Sequence, residues 1–274
     1  MELRRIRTNG TELNVALDGA GVPVLLMHGW PHTWQVWRTV LPLVAGRRRL
    51  IAPDLRGLGD SERAAGGFDA VTGAGDMLGL LDALEIGRAD VVALDAGVPA
   101  AFVLAAAHPD RVRRLVLMEA TLPGMPGGFP APPWWFGFHS VPGLAETVLV
   151  GHEDAYLDWF LTAGTYERRG VPADVRDAFV RAYTGREALR CGFGYYRAAT
   201  ENAAAIPATG RLTVPTLALG GNTVGDLLHR QLTPVTDDLT GEIIPRSGHL
   251  IPLDRPDAVA ETILRPGGDE DGRR

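Results

Sequence analysis

The sequence predicts an α/β fold built on a mostly parallel central sheet with helices on both faces. Two observations support this prediction. Apolar strand-like runs alternate with longer helix-like runs along most of the chain, and near the middle one apolar run turns directly into an alanine-rich run. Alternation is typical of parallel sheets because each parallel crossover needs a long connection, usually a helix. With 274 residues, 46% of them hydrophobic and 22% charged, the chain can bury a sizeable core.

Each element follows from its hydrophobic pattern. Residues 3–8 and 11–18 predict an opening hairpin, because Asn9-Gly10 between them favours a tight turn. Residues 34–45 form an amphipathic run, and residues 68–84 place apolar side chains at helical spacing. Buried strands are predicted at 22–27, 50–53, 90–94, 115–118, 214–219 and 242–245, and a last helix at 255 or 256 to 264.

The composition and the hydrophobic pattern of the chain change after Glu119. Residues 121–142 are rich in proline and glycine, and residues 143–206 are helical in pattern and contain every tyrosine of the chain. Strand–helix alternation then resumes. We therefore predict a core of residues 1–120 and 207–266, with a helical cap of residues 121–206 inserted after the sixth strand.

Composition limits the classes of partner. The formal net charge of −6 argues against nucleic acid and against an anionic membrane surface. The single cysteine, Cys191, excludes an intrachain disulfide and is expected to be buried. The N-terminus shows no apolar signal segment and no run is long enough to span a bilayer, which predicts a cytoplasmic protein. Residues 267–274 are predicted to be disordered. The oligomeric state stays open, a homodimer included.

The most informative segment is Ala93-Leu94-Asp95-Ala96-Gly97. A strand that turns sharply into a helix, with small residues two before and two after the central one, is the layout of a nucleophile elbow. The centre here is aspartate, where G-x-S-x-G turns carry serine. A carboxylate that attacks a saturated carbon leaves an ester that water can cleave, so Asp95 points to an epoxide or an alkyl halide. The alternative is an aspartate that only caps the following helix.

Four motifs, in order and with suitable spacing, resemble the α/β-hydrolase superfamily, in particular its epoxide hydrolase and haloalkane dehalogenase branch. The resemblance covers nearly the whole chain and implies the α/β-hydrolase fold. The motifs are His28-Gly29-Trp30-Pro31, residues 54–61 (DLRGLGDS), the Asp95 turn and Ser247-Gly248-His249.

The resemblance implies roles for several of these residues. His249 would be the base that activates water, although a loop histidine is the alternative. The acid that orients His249 would be Glu119, at the end of the sixth strand, with Asp226 as the second candidate. The backbone N–H groups of Trp30 and Ala96 would form an oxyanion hole, and His28 would be structural.

The epoxide oxygen needs hydrogen-bond donors from the cap. Tyr195-Tyr196-Arg197 resembles the family segment in which tyrosine precedes arginine, while the other expected tyrosine falls near Phe138-His139 and is missing. We expect Trp134 and Trp135, with Tyr195 or Tyr196, to hold the oxygen; packing of the cap is the alternative role for these aromatics.

The resulting hypothesis is an epoxide hydrolase that acts on a bulky apolar or polycyclic natural-product epoxide, with no metal and no organic cofactor. Ala96 stands where dehalogenases commonly have a halide-binding tryptophan and where many epoxide hydrolases also have tryptophan. The chain thus departs from both patterns, but it lacks a halide donor in particular, which makes a haloalkane dehalogenase the second choice. A non-catalytic small-molecule receptor on the same fold is the third.

Overall fold

A computed structural model describes residues 1–265, so the predicted disordered tail and residue 266 lie outside the described residues. Eight strands form one sheet in the order β1-β2-β4-β3-β5-β6-β7-β8. The pairs β1–β2 and β2–β4 are antiparallel and all others are parallel. The strands are β1 (Glu2–Thr8), β2 (Thr11–Gly19), β3 (Val22–Met27), β4 (Arg48–Pro53), β5 (Ala89–Leu94), β6 (Val112–Met118), β7 (Thr216–Gly220) and β8 (Leu239–Ile243).

Helices cover both faces of the sheet, as predicted, and the central strands are buried on both sides. Along β3, Leu25 and Met27 join one hydrophobic cluster, while Val24 and Leu26 join the other. The period-two alternation of side chains in a strand causes this division. The core helices are α1 (Leu41–Val44), α2 (Ala70–Ala83), α3 (Val98–Ala107), α10 (Leu227–Leu232), α11 (Ile251–Asp254) and α12 (Pro256–Leu264).

The long connection between β6 and β7 is helical, and we call residues 121–206 the helical insert. Its aromatic side chains, with Trp30 from the core, form a continuous network of edge and stacked contacts. Whether the insert is a separate cap domain stays a prediction. Its helices are α4 (Trp134–Ser140), α5 (Leu144–Leu149), α6 (Glu153–Ala163), α7 (Ala173–Tyr183), α8 (Arg186–Arg197) and α9 (Ala199–Thr209), the last of which extends past the insert.

The opening hairpin forms as predicted, with Asn9 and Gly10 both at positive φ in its turn. The amphipathic run 34–45 forms a short 3-10 turn at 34–37 followed by α1. Pro42 lies in the first turn of α1, where its missing N–H is tolerated. In the interior of one continuous helix over 34–45, the same proline would remove a backbone hydrogen bond and clash with the preceding turn. Within residues 1–265, no helix has the length and apolarity needed to cross a membrane.

Candidate active site

Asp95 occupies a strained turn at the end of β5. Its φ of 52° lies in the left-handed region, which a non-glycine residue adopts only where the surroundings hold it. Small neighbours make the turn possible: a Cβ on Gly29 would collide with Asp95 Oδ1, and one on Gly97 would lie 2.6 Å from the His28 carbonyl oxygen. The turn therefore presents the carboxylate above the edge of the sheet, where the predicted elbow requires it.

His249 lies between two carboxylates. Its Nε2 is 3.5 Å from Asp95 Oδ2, and its Nδ1 is 3.4 Å from Glu119 Oε2. The other oxygen of the elbow residue, Asp95 Oδ1, accepts a 2.7 Å hydrogen bond from the Trp30 N–H. The nucleophile and base candidates and an acid thus form one continuous chain of polar contacts.

Glu119 is held rigidly at the end of β6. It is 1% exposed and has a positive φ, and its carboxylate accepts hydrogen bonds from the Gly221 and Val224 N–H groups. Asp226 is placed differently: its side chain is 62% exposed and pairs with Arg230 at 2.9 Å. The structure therefore brings Glu119, and not Asp226, to His249.

The contacts among Asp95, His249 and Glu119 lower the pKa of Asp95 and raise the pKa of His249. Burial alone would raise the pKa of Asp95, but the hydrogen bond and positive charge of His249 outweigh it and hold that pKa below its usual value. Burial also disfavours a charged imidazole, yet hydrogen bonds to Asp95 and Glu119, together with their charges, raise the pKa of His249 to about 10. Both shifts therefore favour a carboxylate at Asp95 and an imidazolium at His249.

The loop after β3 supplies the donor to Asp95. The Trp30–Pro31 peptide bond in this loop is cis. His28 is fully buried; its Nδ1–H donates to the Gly29 carbonyl at 2.8 Å, and its Nε2 accepts from the Leu55 N–H at 3.1 Å. Both ring nitrogens are thus used to fix the loop, which fits the structural role expected for His28.

A cavity of about 680 Å³ lies between the sheet and the helical insert, with Asp95, Glu119 and His249 on its wall. Its size is in the range of small-molecule sites. Ala96, which follows the elbow residue, also lines it. Most of the remaining wall is apolar and comes mainly from the insert. It includes Phe68 and Leu250 from the core, and Leu122, Met125, Phe129, Trp135, Phe136, Trp159 and Phe160 from the insert.

Comparisons with known proteins agree with this geometry. Residues 22–149 match the family described as alpha/beta hydrolase fold. The chain is 32% identical over 271 residues to a soluble epoxide hydrolase from Corynebacterium sp. strain C12, an alignment that spans 94% of each chain. The chain belongs to the α/β-hydrolase superfamily, in its epoxide hydrolase branch. The fold predicted from the sequence is thereby confirmed.

Solved structures show the same likeness to this α/β-hydrolase. The Cfl2 protein of Burkholderia cenocepacia superposes with a TM-score of 0.89 at 34% identity, covering 99% of this chain and 95% of its own. The epoxide hydrolase CorEH superposes with a TM-score of 0.89 at 30% identity, covering 96% and 97%. The similarity therefore extends through the helical insert.

The aromatic residues expected to hold the substrate oxygen fall into three groups. Trp135 and Tyr196 line the cavity, and no described residue takes a hydrogen bond from the Tyr196 hydroxyl. Tyr195 also lines it, but its hydroxyl donates to the Arg56 carbonyl at 2.9 Å. The prediction is wrong for Trp134. Its side chain is 57% exposed and packs on Trp159, and it does not line the cavity.

Burial and charge keep the Tyr196 hydroxyl protonated. Burial first, and then the negative charge of Asp95, raise the pKa of Tyr196 well above its usual value. The phenol is therefore a neutral hydrogen-bond donor, and its pKa is raised in part by the negative charge of Asp95. Of the four aromatic candidates, Tyr196 best meets the requirements of a donor to an opening ring.

The sequence did not single out two buried histidines. His32 is 1% exposed, lines the cavity and lies 6.0 Å, ring centre to ring centre, from His249. His139 stacks on Phe193 at 4.2 Å and shares a 2.6 Å hydrogen bond between its Nε2 and the Tyr156 hydroxyl. Burial lowers the pKa of each histidine to about 3. In the sequence, His139 was noted only because it lies near the position of the missing tyrosine. The spacing of residues along the chain could not indicate that His139 would bond to Tyr156.

Among residues 1–265, no three His, Cys, Asp or Glu side chains are arranged to hold a metal ion. Cys191 is buried, as expected, and burial raises the pKa of its thiol.

Proposed function

We propose that this α/β-hydrolase is an epoxide hydrolase, which opens an epoxide to a vicinal diol through a covalent ester on Asp95. One observation carries the proposal: a carboxylate, in the place of a serine, stands in a cavity with one oxygen held by the Trp30 N–H and the other facing His249. A carboxylate nucleophile suits a saturated electrophilic carbon because the resulting ester can be hydrolysed. The relatives named as epoxide hydrolases support the same reading.

In the first half-reaction, Asp95 attacks a ring carbon. Its lowered pKa keeps it ionised at neutral pH, so the nucleophile is ready without a separate base. The C–O bond of the ring breaks as the new ester C–O bond forms, and the opening oxygen takes a proton from the Tyr196 hydroxyl. The phenol suits this role because it is neutral, lines the cavity and has no acceptor among the described residues.

In the second half-reaction, water cleaves the ester. Esterification removes the negative charge of Asp95, so the pKa of His249 falls and its proton leaves to solvent, from which Tyr196 regains one. Neutral His249 then takes a proton from water as the water attacks the ester carbonyl, and Glu119 stabilises the imidazolium. The tetrahedral intermediate collapses by breaking the ester C–O bond to the substrate oxygen. That oxygen takes the proton of the new Asp95 carboxylic acid, so the diol leaves and the Asp95 carboxylate is restored. The Trp30 and Ala96 N–H groups would hold the oxyanion, each worth about 3 kcal/mol.

The cavity suggests the class of substrate. At about 680 Å³, with a mostly apolar wall, it suits a bulky apolar or polycyclic natural-product epoxide better than a short alkyl halide. The scheme consumes only epoxide and water, and every proton is returned within one cycle. Ala96 offers no side-chain donor to a halide.

The test is to replace His249 with glutamine and add an apolar epoxide. We expect the protein mass to rise by the mass of one epoxide, because the ester forms but is not hydrolysed. Asp95→Asn is the matched control and should gain no mass at early times. Substrate binding without a mass increment in His249→Gln would contradict the covalent scheme. With the wild-type protein and a matched pair of substrates, halide release from the alkyl halide without diol formation from the epoxide would indicate a dehalogenase, and stoichiometric binding without turnover of either would indicate a receptor.

A further inference from the structure

Two buried amide side chains line the cavity, and they differ in how many of their hydrogen bonds the protein uses. Gln231 accepts from the Leu122 N–H and donates to the carbonyls of Leu122 and Met125. Asn202, on α9 and 5% exposed, accepts a 2.7 Å hydrogen bond from the Ala70 N–H through its Oδ1. No residue within 1–265 accepts from its Nδ2. Gln231 is thus saturated, whereas Asn202 keeps a spare donor.

The orientation of the Asn202 amide is fixed by chemistry. The Ala70 N–H can only donate, so the amide oxygen must face it and the amide nitrogen must point the other way. Asn202 and Ala199, one turn earlier on the same helix face, both line the cavity. The unused donor therefore belongs to the cavity side of α9.

The other polar groups at this end of the cavity are already paired. Asp69 accepts from the Thr72 N–H at 2.9 Å and from its hydroxyl at 2.7 Å. Asp76 binds the Arg56 guanidinium with both carboxylate oxygens. The Tyr195 hydroxyl is also paired, since it donates to the Arg56 carbonyl. Among residues 1–265, the Asn202 Nδ2 is therefore the free hydrogen-bond donor that a ligand meets at this end of the cavity.

The position of Asn202 relative to the nucleophile follows from the helices between them. Ala96 and Ala100 line the cavity along the start of α3, and Ala100 lies about 8 Å of helical rise beyond Asp95. There α2 packs directly on α3, since a Cβ on Gly73 would lie 2.9 Å from the Ala100 Cβ. Asn202 caps the first turn of α2 beside this contact, so it is on the order of 10 Å from the reacting carbon.

We propose that Asn202 is a specificity residue that recognises a hydrogen-bond acceptor, a carbonyl, hydroxyl or ether oxygen, at the end of the substrate remote from the epoxide. The proposal rests on the proposed epoxide hydrolase activity for its choice of substrate, and adds a polar anchor to an otherwise apolar molecule. A buried donor left without a partner is costly, so a substrate that supplies the acceptor gains over one that does not.

The experiment compares two rigid apolar epoxides that share one skeleton and differ at a single remote position about 10 Å from the ring. One carries a ketone there and the other a methylene. For the wild-type protein we expect kcat/KM to be about three- to ten-fold higher for the ketone, which is the range of one neutral hydrogen bond. Equal values for the two epoxides would overturn the proposal, whatever any variant does.

Asn202→Asp is the informative variant, because aspartate still accepts from the Ala70 N–H but has no donor. It should abolish or reverse the ketone preference. Gln231→Glu, at the saturated amide, is the matched control and should keep the preference even if it lowers stability. A preference that survives in Asn202→Asp, or disappears only in Gln231→Glu, would contradict the role of Asn202.

A binding measurement separates this proposal from the proposed function. Asp95→Asn would be titrated with a ketone and its methylene analogue that lack the epoxide, using quenching of the cavity tryptophans Trp135 and Trp159 as the signal. Tighter binding of the ketone to this variant, with no diol formed from any epoxide by the wild-type protein, would support Asn202 and refute the activity. Diol formation with equal binding of the two compounds would do the reverse.

Discussion

Replacement of Glu119 by glutamine tests which carboxylate serves His249. Raising the pKa of His249 from 6.5 to about 10 corresponds to about 5 kcal/mol in favour of the imidazolium, which is what remains of the attraction to Asp95 and Glu119 after the cost of burial. In the proposed ester intermediate, Glu119 is the carboxylate that remains beside the His249 ring. If it supplies about half of this stabilisation, Glu119→Gln should slow ester hydrolysis about 100-fold.

Glutamine is a suitable replacement because its amide oxygen can still accept from the Gly221 and Val224 N–H groups. Quenched-flow kinetics with intact-protein mass detection would follow ester formation and breakdown separately. We expect Glu119→Gln to accumulate ester. Asp226→Asn is the control and should leave both steps unchanged, because it removes only an exposed ion pair worth about 0.4 kcal/mol. Ester accumulation in Asp226→Asn, or normal breakdown in Glu119→Gln, would refute the reasoning.

Three further predictions concern the donor, the elbow and acid stability. Tyr196→Phe should slow ester formation at least 100-fold, whereas Tyr195→Phe should mainly lower the melting temperature. Single-turnover kinetics would measure ester formation and calorimetry the melting temperature. Equal slowing of ester formation in the two variants would contradict the choice of Tyr196 as the donor. Gly29→Ala should abolish activity because its Cβ collides with Asp95, and an active, stable variant would show that the elbow can relax. His139 is neutral in the fold because its pKa is lowered to about 3, so its contribution is intact above pH 6.5 and is lost as the pH falls towards 3. His139→Gln should therefore reduce the pH dependence of unfolding in that range by up to about 1.4 kcal/mol per pH unit, measured by denaturant titration, and an unchanged slope would contradict a neutral His139.

The sequence predicted most of what depends on local pattern. The elbow at Asp95, the hairpin at Asn9-Gly10 and the strand ending at Glu119 each have short-range signals, because strained turns and buried strands restrict residue type. The carboxyl ends of neighbouring parallel strands meet at one edge of a sheet, so the order of motifs also predicted which residues come together.

Other features depend on side-chain direction, which the sequence does not give. Tyr195 and Tyr196 are adjacent on α8 and point about 100° apart, and only the tertiary packing decides that the Tyr195 hydroxyl is used by the Arg56 carbonyl. Trp134 similarly packs on the outside of α4, one position from cavity-lining Trp135. The His139–Tyr156 hydrogen bond joins two helices, so its partners could not be paired from spacing.

The division of labour between strand ends and the helical insert has a consequence for protein engineering. Asp95, Glu119 and His249 stand at the ends of strands, whereas much of the apolar wall and the proposed donor Tyr196 come from residues 121–206. Exchange of this insert among homologues that keep a tyrosine at the position of Tyr196 would transplant selectivity while Asp95, Glu119 and His249 are left in place, which makes residues 121–206 the natural unit for chimeras and for focused mutant libraries.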